Sequence, residues 1–130
     1  MQPTKIQILY IEDDGVNMLL MRHLIKKKLP SVELLEASTI QEGIGLAIQT
    51  QPFLILSDIH FLGMNGYEGL TQLKADSRTS TIPVWAISAF VLEEDIRKGK
   101  AAGFEQYITK PIHIGRFAKL LEAYIEQKTS

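Results

Sequence analysis

The chain of 130 residues contains no cysteine. That removes disulfides, thiolate metal sites and thiol catalysis together. No apolar run approaches the ~18 residues needed to span a bilayer. The opening Met-Gln-Pro-Thr-Lys lacks the apolar core of a signal peptide, so a cytoplasmic location is expected. Neither sign of charge is in excess: 14 basic residues stand against 15 acidic ones, a net charge of −1. Such a balance gives no field for holding nucleic acid or an anionic membrane. Only three histidines occur, His23, His60 and His113, and none has the paired spacing of a zinc site. No G-x-S-x-G surrounds Ser88 to make it a hydrolase nucleophile. Gly43-Ile-Gly45 is a fragment of a dinucleotide fingerprint, but it follows the second strand, and position 48 is Ile. Internal repeats, low-complexity stretches and linkers are also missing, apart from the first four residues and the last three. One domain is expected over 1–130, with its core at about 5–127.

What is present is organised around Phe53-Leu-Ile-Leu-Ser-Asp58. Phe53 to Leu56 form a short unbroken apolar run after Pro52, which reads as a strand buried on both faces. Ile6–Ile11, Glu33–Ala37, Ile82–Ile87 and Phe104–Ile108 read as further strands. Between and after them, helices are expected from Asp14 to Lys28 and from Ser38 or Thr39 to about Gln49. Three more are expected over Gly66–Ala75, Leu92–Ala102 and from Ile114 to the end. In the first helix Val16, Leu19, Leu20, His23, Leu24 and Ile25 recur at helical spacing. In the last, Ile114, Phe117, Leu120, Leu121, Tyr124 and Ile125 do so. Five strands alternating with five helices are the βαβ pattern of a parallel sheet covered on both faces.

In such a sheet the carboxyl ends of the strands share one edge, where ligands bind. The first strand delivers Glu12 and Asp13 to that edge, the third Asp58, the fourth Ser88 and the fifth Lys110. Carboxylates crowded together repel: two at ~4 Å cost about 4 kcal/mol at an effective dielectric of ~20. A hard divalent cation resolves this, and an oxygen-lined site suits Mg²⁺, with Mn²⁺ the alternative. Lys110 is a point charge suited to a phosphoryl oxygen, and Ser88 adds a hydroxyl. Carboxylate, metal, lysine and hydroxyl together point to phosphoryl transfer onto Asp58, giving an acyl phosphate.

The pieces Ile8-Leu-Tyr-Ile-Glu-Asp-Asp14, Leu54-Ile-Leu-Ser-Asp-Ile-His60, Gly63-Met-Asn-Gly66, Val84-Trp-Ala-Ile-Ser-Ala89 and Tyr107-Ile-Thr-Lys-Pro111 stand in the order of a known family. The chain resembles the response-regulator receiver domain of two-component signalling. The resemblance implies a flavodoxin-like, doubly wound α/β fold with five parallel strands in the order 2-1-3-4-5 and five helices. It implies Asp58 as phosphoacceptor, and Asp13 as direct metal ligand with Glu12 acting through water. It gives the His60 backbone carbonyl to the metal as well, and Lys110, Ser88 and Ala89 to the phosphoryl group. Ser88 and Tyr107 are implied as the switch pair, with Tyr107 entering the space that Ser88 leaves. The Lys110-Pro111 bond is expected to be cis. Two departures stand out: Leu62 replaces the family's usual proline, and Ser88 its commoner threonine.

The expected partners are a histidine kinase or histidine phosphotransfer protein and a downstream protein or output domain. The expected oligomeric state is monomer or weak dimer. Lys110-Pro-Ile and the Arg116-Phe117 helix resemble the receivers of hybrid histidine kinases. Self-phosphorylation and slow self-dephosphorylation are expected, without turnover of an external substrate. The alternative is a pseudo-receiver that keeps the fold as a protein-binding module; the intact Glu12, Asp13, Asp58 and Lys110 argue against it. A phosphatase would need a second acid two residues past the nucleophile, where His60 stands. His60 and Phe90 are expected to flank the approach of water to a phosphorylated Asp58. Asp13→Ala is expected to stabilise the metal-free protein by roughly 1–2 kcal/mol.

Overall fold

The computed structural model describes residues 5–61 and 63–130; the first four residues of the chain lie outside it. Five strands and five helices alternate: β1 (Ile6–Ile11), α1 (Gly15–Lys28), β2 (Val32–Ala37), α2 (Ile40–Thr50), β3 (Leu54–Asp58), α3 (Gly66–Ala75), β4 (Val84–Ser88), α4 (Glu93–Ala102), β5 (Gln106–Thr109) and α5 (Ile114–Thr129). The strands are all parallel, in the order β2-β1-β3-β4-β5, the flavodoxin-like arrangement expected. The order reverses between β1 and β3, so the crevice of a doubly wound sheet opens there.

The side-chain period of two along a strand decides which layer each residue joins. Ile8, Tyr10, Leu54, Leu56, Trp85 and Ile87 face α1 and α5. Leu9, Ile11, Ile55, Val84, Ala86 and Tyr107 face α2, α3 and α4. Continuing the first set past the strand ends places Glu12, Asp58 and Lys110 on the α1/α5 side. Continuing the second places Ser88 beside Tyr107 on the α4 side. The acidic cluster and the Ser88–Tyr107 pair thus lie on opposite faces of one sheet edge.

The helices start where their caps dictate. The Asp14 carboxylate accepts from the N–H groups of Val16 (2.8 Å) and Asn17 (3.1 Å). Thr39 accepts from the Glu42 N–H at the start of α2. Asn65 and Glu68 cap α3 reciprocally. His113 caps α5, its Nδ1 accepting from the Arg116 N–H.

Two strands begin later than expected. The Ile82 N–H is taken by the Thr79 carbonyl in the preceding turn, and Pro83 has no donor, so β4 starts at Val84. The Phe104 N–H closes onto the Gly99 carbonyl of α4, which delays β5 to Gln106. The apolar spacing in α1 also divides differently. Met18, Met21, Leu24 and Ile25 are buried, whereas Val16, Leu19 and Leu20 are 67%, 56% and 56% exposed. On α5, Ile114 and Leu120 are exposed while Phe117 and Leu121 are buried. Both helices therefore carry apolar side chains on two faces. Among the described residues, no helix is long and apolar enough to cross a membrane.

Candidate functional site

The site is built where β1, β3 and β5 end. Carboxylate oxygens of Glu12, Asp13 and Asp58 all lie within 4.8 Å of one another. Glu12 and Asp58 are buried and Asp13 is exposed. The Lys110 ammonium reaches in from the end of β5 and bridges the two buried acids. Its Nζ lies 2.8 Å from Glu12 Oε1 and 2.7 Å from Asp58 Oδ2. The other Asp58 oxygen, Oδ1, accepts from the Ile59 N–H at 2.7 Å and the His60 N–H at 3.3 Å. Both Asp58 oxygens are thereby oriented by donors.

Electrostatics follow from burial. Removal from water pushes the Glu12 carboxyl above the ordinary 4.5, and neighbouring Asp58 adds to the rise while Lys110 opposes it. For Lys110 burial works against the charge, but its hydrogen bonds to Asp58 and Glu12 outweigh this, and it holds its proton more tightly than usual. The lysine is the counter-charge that keeps two buried carboxylates together. An oxygen-only cluster of one exposed and two buried carboxylates fits a hard divalent cation such as Mg²⁺, which keeps several waters.

Asp13 is the acid with least to lose. It makes no side-chain hydrogen bond or ion pair among the described residues, and solvent screens it. Asp13→Ala should therefore raise the stability of the metal-free protein by only about 0.5–1 kcal/mol, below the 1–2 kcal/mol suggested by strand-end crowding alone. Urea melts in a metal chelator check this. A loss of stability would show that Asp13 has a structural partner.

Ser88 and Tyr107 sit across the sheet. Ser88 is fully buried, and its Oγ accepts from the Phe90 N–H at 3.0 Å. The Tyr107 hydroxyl donates to the Phe90 carbonyl at 2.7 Å. Phe90, in the β4–α4 loop, is therefore held by both side chains. The Tyr107 ring is buried. Gly99 makes room for it: a Cβ there would stand 2.6 Å from Tyr107 Cδ2. Ala89 is exposed next to Ser88. The Lys110-Pro111 bond is cis, as expected. Leu62 lies outside the described residues.

His60 and Phe90 come together directly. Their rings stack with centroids 3.7 Å apart and planes 24° apart, joining the loop after β3 to the loop after β4. The sequence reading left two features unremarked. Tyr10, fully buried on β1, donates its hydroxyl to Glu12 Oε1 at 2.9 Å; a polar tip two residues before a buried acid on one strand face is a signal of that contact. Gly66 passes under the acceptor, where a Cβ would lie 2.5 Å from the Asp58 carbonyl oxygen. Only glycine permits that approach.

Fold and site together define a flavodoxin-like domain with a lysine-bridged acidic pocket at its topological switch point. The family model described as response regulator receiver domain matches residues 8–122. A relative, the polar-differentiation response regulator DivK of Brucella ovis, is 34% identical over 118 residues, covering 91% of this chain and 94% of its own. Solved structures agree in fold. The receiver domain of sensor histidine kinase PA1611 from Pseudomonas aeruginosa, which holds a magnesium ion in its active-site cleft, superposes with a TM-score of 0.83 at 20% identity, covering 95% of this chain and 99% of that one. A two-component response regulator from Legionella pneumophila gives 0.81 at 26% identity, again over 95% and 99%. The chain belongs to the response regulator receiver domain family of two-component signalling. Domains of this family interact with histidine kinases or phosphotransfer proteins.

Proposed function

We propose that this domain takes a phosphoryl group from a phosphohistidine onto Asp58 in a Mg²⁺-dependent reaction. The observation that carries the reading is the Asp58 carboxylate, fixed by two backbone N–H groups and by Lys110 in the middle of an acidic cluster. Asp13, Asp58 and the His60 carbonyl would hold the cation, with Glu12 acting through water; when bound, it neutralises charge on the transferring phosphoryl group. An Asp58 oxygen attacks phosphorus, and the phosphorus–nitrogen bond to the donor imidazole breaks. The imidazole nitrogen leaves with the electron pair. Lys110 shifts from Asp58 Oδ2 to a phosphoryl oxygen, and Ser88 and Ala89 face the new group.

Ser88 Oγ cannot serve both the Phe90 N–H and the phosphoryl group in one position. When it turns to the phosphoryl, Phe90 loses one of its two anchors and keeps Tyr107. The β4–α4 loop then repacks, and with it the surface made by α4, β5 and α5, so a local charge event biases a bistable element. A downstream partner or output domain reads that surface.

The donor has a face to dock on. Val16, Leu19 and Leu20 of α1 and Ile114 of α5 are exposed. An apolar cavity of about 110 Å³ opens between these helices, lined in part by Leu20, Pro111 and Ile114 and reaching Lys110. An exposed apolar patch beside the reacting group suits a helical phosphodonor. A pseudo-receiver that only binds protein would not need the Lys110 bridge.

Incubation with a small acyl-phosphate donor and Mg²⁺ should add one phosphoryl-sized mass increment. Chelation of the metal or the Asp58→Asn substitution should abolish it. An increment that persists in Asp58→Asn would remove the assignment.

A further inference from the structure

Glu12 receives two donors on one oxygen and almost none on the other. Tyr10 Oη lies 2.9 Å from Oε1, and Lys110 Nζ lies 2.8 Å from the same atom. Among the described residues, Oε2 accepts only from the Asp14 N–H, at 3.4 Å. This side chain is buried, and so is Tyr10, which stands two residues earlier on the same face of β1. The phenol is hemmed in by Met21 and Leu24 of α1 and by Ile112 beyond β5 at the cavity beside the site. Its ring is fully buried, and its hydroxyl is already engaged with Glu12.

We propose that Tyr10 is a positioning residue of the metal site: it pins Glu12 Oε1, fixes the orientation of the carboxylate that clusters with Asp13 and Asp58, and keeps Glu12 partnered when Lys110 moves. The inference rests on the phosphoacceptor reading, because only there does Lys110 swing from Asp58 Oδ2 toward another anion. The swing draws Nζ away from the Glu12 oxygen it now holds at 2.8 Å. Without Tyr10 the buried carboxylate would depend on the moving ammonium alone for a short donor, which low-dielectric surroundings make costly. With Tyr10 the rotamer persists through the transfer. Partners that orient a ligand from behind commonly tune metal affinity by 10–100-fold. Glu12 acts through water, so the lower end of that range is expected here.

Tyr10→Phe keeps the ring and removes only the hydroxyl, so the core stays filled. Mn²⁺ serves as a paramagnetic probe, since oxygen sites of this kind accept it. Its dissociation constant, followed by electron paramagnetic resonance without any phosphodonor, should weaken about tenfold in Tyr10→Phe. The Mg²⁺ concentration giving half-maximal phosphorylation should rise by a similar factor. In a Glu12→Ala background the same substitution should change Mn²⁺ affinity by less than about twofold, because the carboxylate through which it acts is gone. Unchanged Mn²⁺ affinity in Tyr10→Phe, or an equal loss in both backgrounds, overturns the positioning role and leaves the phosphoacceptor reading intact. Failure of the wild type to bind either cation overturns that reading, and the inference with it.

Discussion

Lys110→Met should unfold at markedly lower urea than the wild type at pH 7.5 in the absence of metal, and most of the difference should vanish at pH 5. The lysine is the only cation in contact with Glu12 or Asp58 among the described residues, and those acids are 2% and 6% exposed. Methionine fills the same channel but carries no charge. Two buried carboxylates then face each other, and stripping the partner from a buried ion pair costs about 3–5 kcal/mol. Lys110 is partly solvated, with 17% of its side chain exposed, so a loss of about 2–4 kcal/mol is the better figure. The pH dependence fixes the cause. Glu12 already has a raised pKa in the folded protein, and removing Lys110 takes away the contact that lowers it. A folded-state pKa above the unfolded one means that the native state binds more protons in between. Stability therefore falls as pH rises above the ordinary carboxylate value. Acidification should rescue the variant by protonating one acid, and Mg²⁺ should rescue it at neutral pH by replacing the lost charge. Phosphorylation by an acyl phosphate should still slow by about 10²-fold at saturating Mg²⁺, since an ammonium aimed at the transferring group is a preorganised stabiliser. A stability difference that is the same at both pH values would mean that Lys110 acts by packing alone.

Much of this arrangement is legible in the chain itself, and the reason is the sheet. Four of the five strands are short apolar runs ending on or just before a polar residue, and parallel topology brings those ends to one edge. Glu12, Asp13, Asp58, Ser88 and Lys110 could be gathered from that rule alone. The caps at Asp14 and Thr39 likewise follow from local chemistry, while the cis bond at Pro111 is implied by the family resemblance. What could not be read was which face each apolar side chain takes on helices with more apolar residues than one stripe needs. Val16, Leu19 and Leu20 share the helical period with Leu24 and Ile25, yet Met18 and Met21 take the core positions. Period alone does not say which of two overlapping stripes meets the sheet. The burial of Tyr107 is not legible for a different reason. It depends on Gly99 of α4 leaving a slot, a contact between elements that no local pattern records. The same holds for Gly66 under Asp58 and for Tyr10 behind Glu12.

Truncating either member of the His60–Phe90 stack should shorten the life of phosphorylated Asp58 about tenfold, a change of ~1.4 kcal/mol in the hydrolysis barrier. Hydrolysis needs a water in line with the phosphoryl bond, on the side away from the carboxylate. His60 stands two residues past the acceptor and Phe90 two past Ser88, so both loops border that approach. Phe90 is 50% exposed, which by itself would suggest a surface side chain with no part in the chemistry. The stack at 3.7 Å changes this: one face of the phenyl is covered by imidazole, and the two rings close the gap between the loops after β3 and β4. Neither ring is a carboxylate or amide that would orient an attacking water. The pair is therefore expected to exclude water more than it positions it. Phe90→Ala opens the cover from one side. His60→Asn opens it from the other and places an amide where a water could be held. Both retain the backbone groups that matter: the Phe90 N–H to Ser88, its carbonyl from Tyr107, and the His60 carbonyl. Because the rings work as a pair, the double variant should lose phosphate little faster than the faster single one. Dephosphorylation of the isolated, phosphorylated protein in excess Mg²⁺ measures this directly. If neither substitution speeds the loss, the stack is a surface contact, and the lifetime is set by Lys110 and the metal.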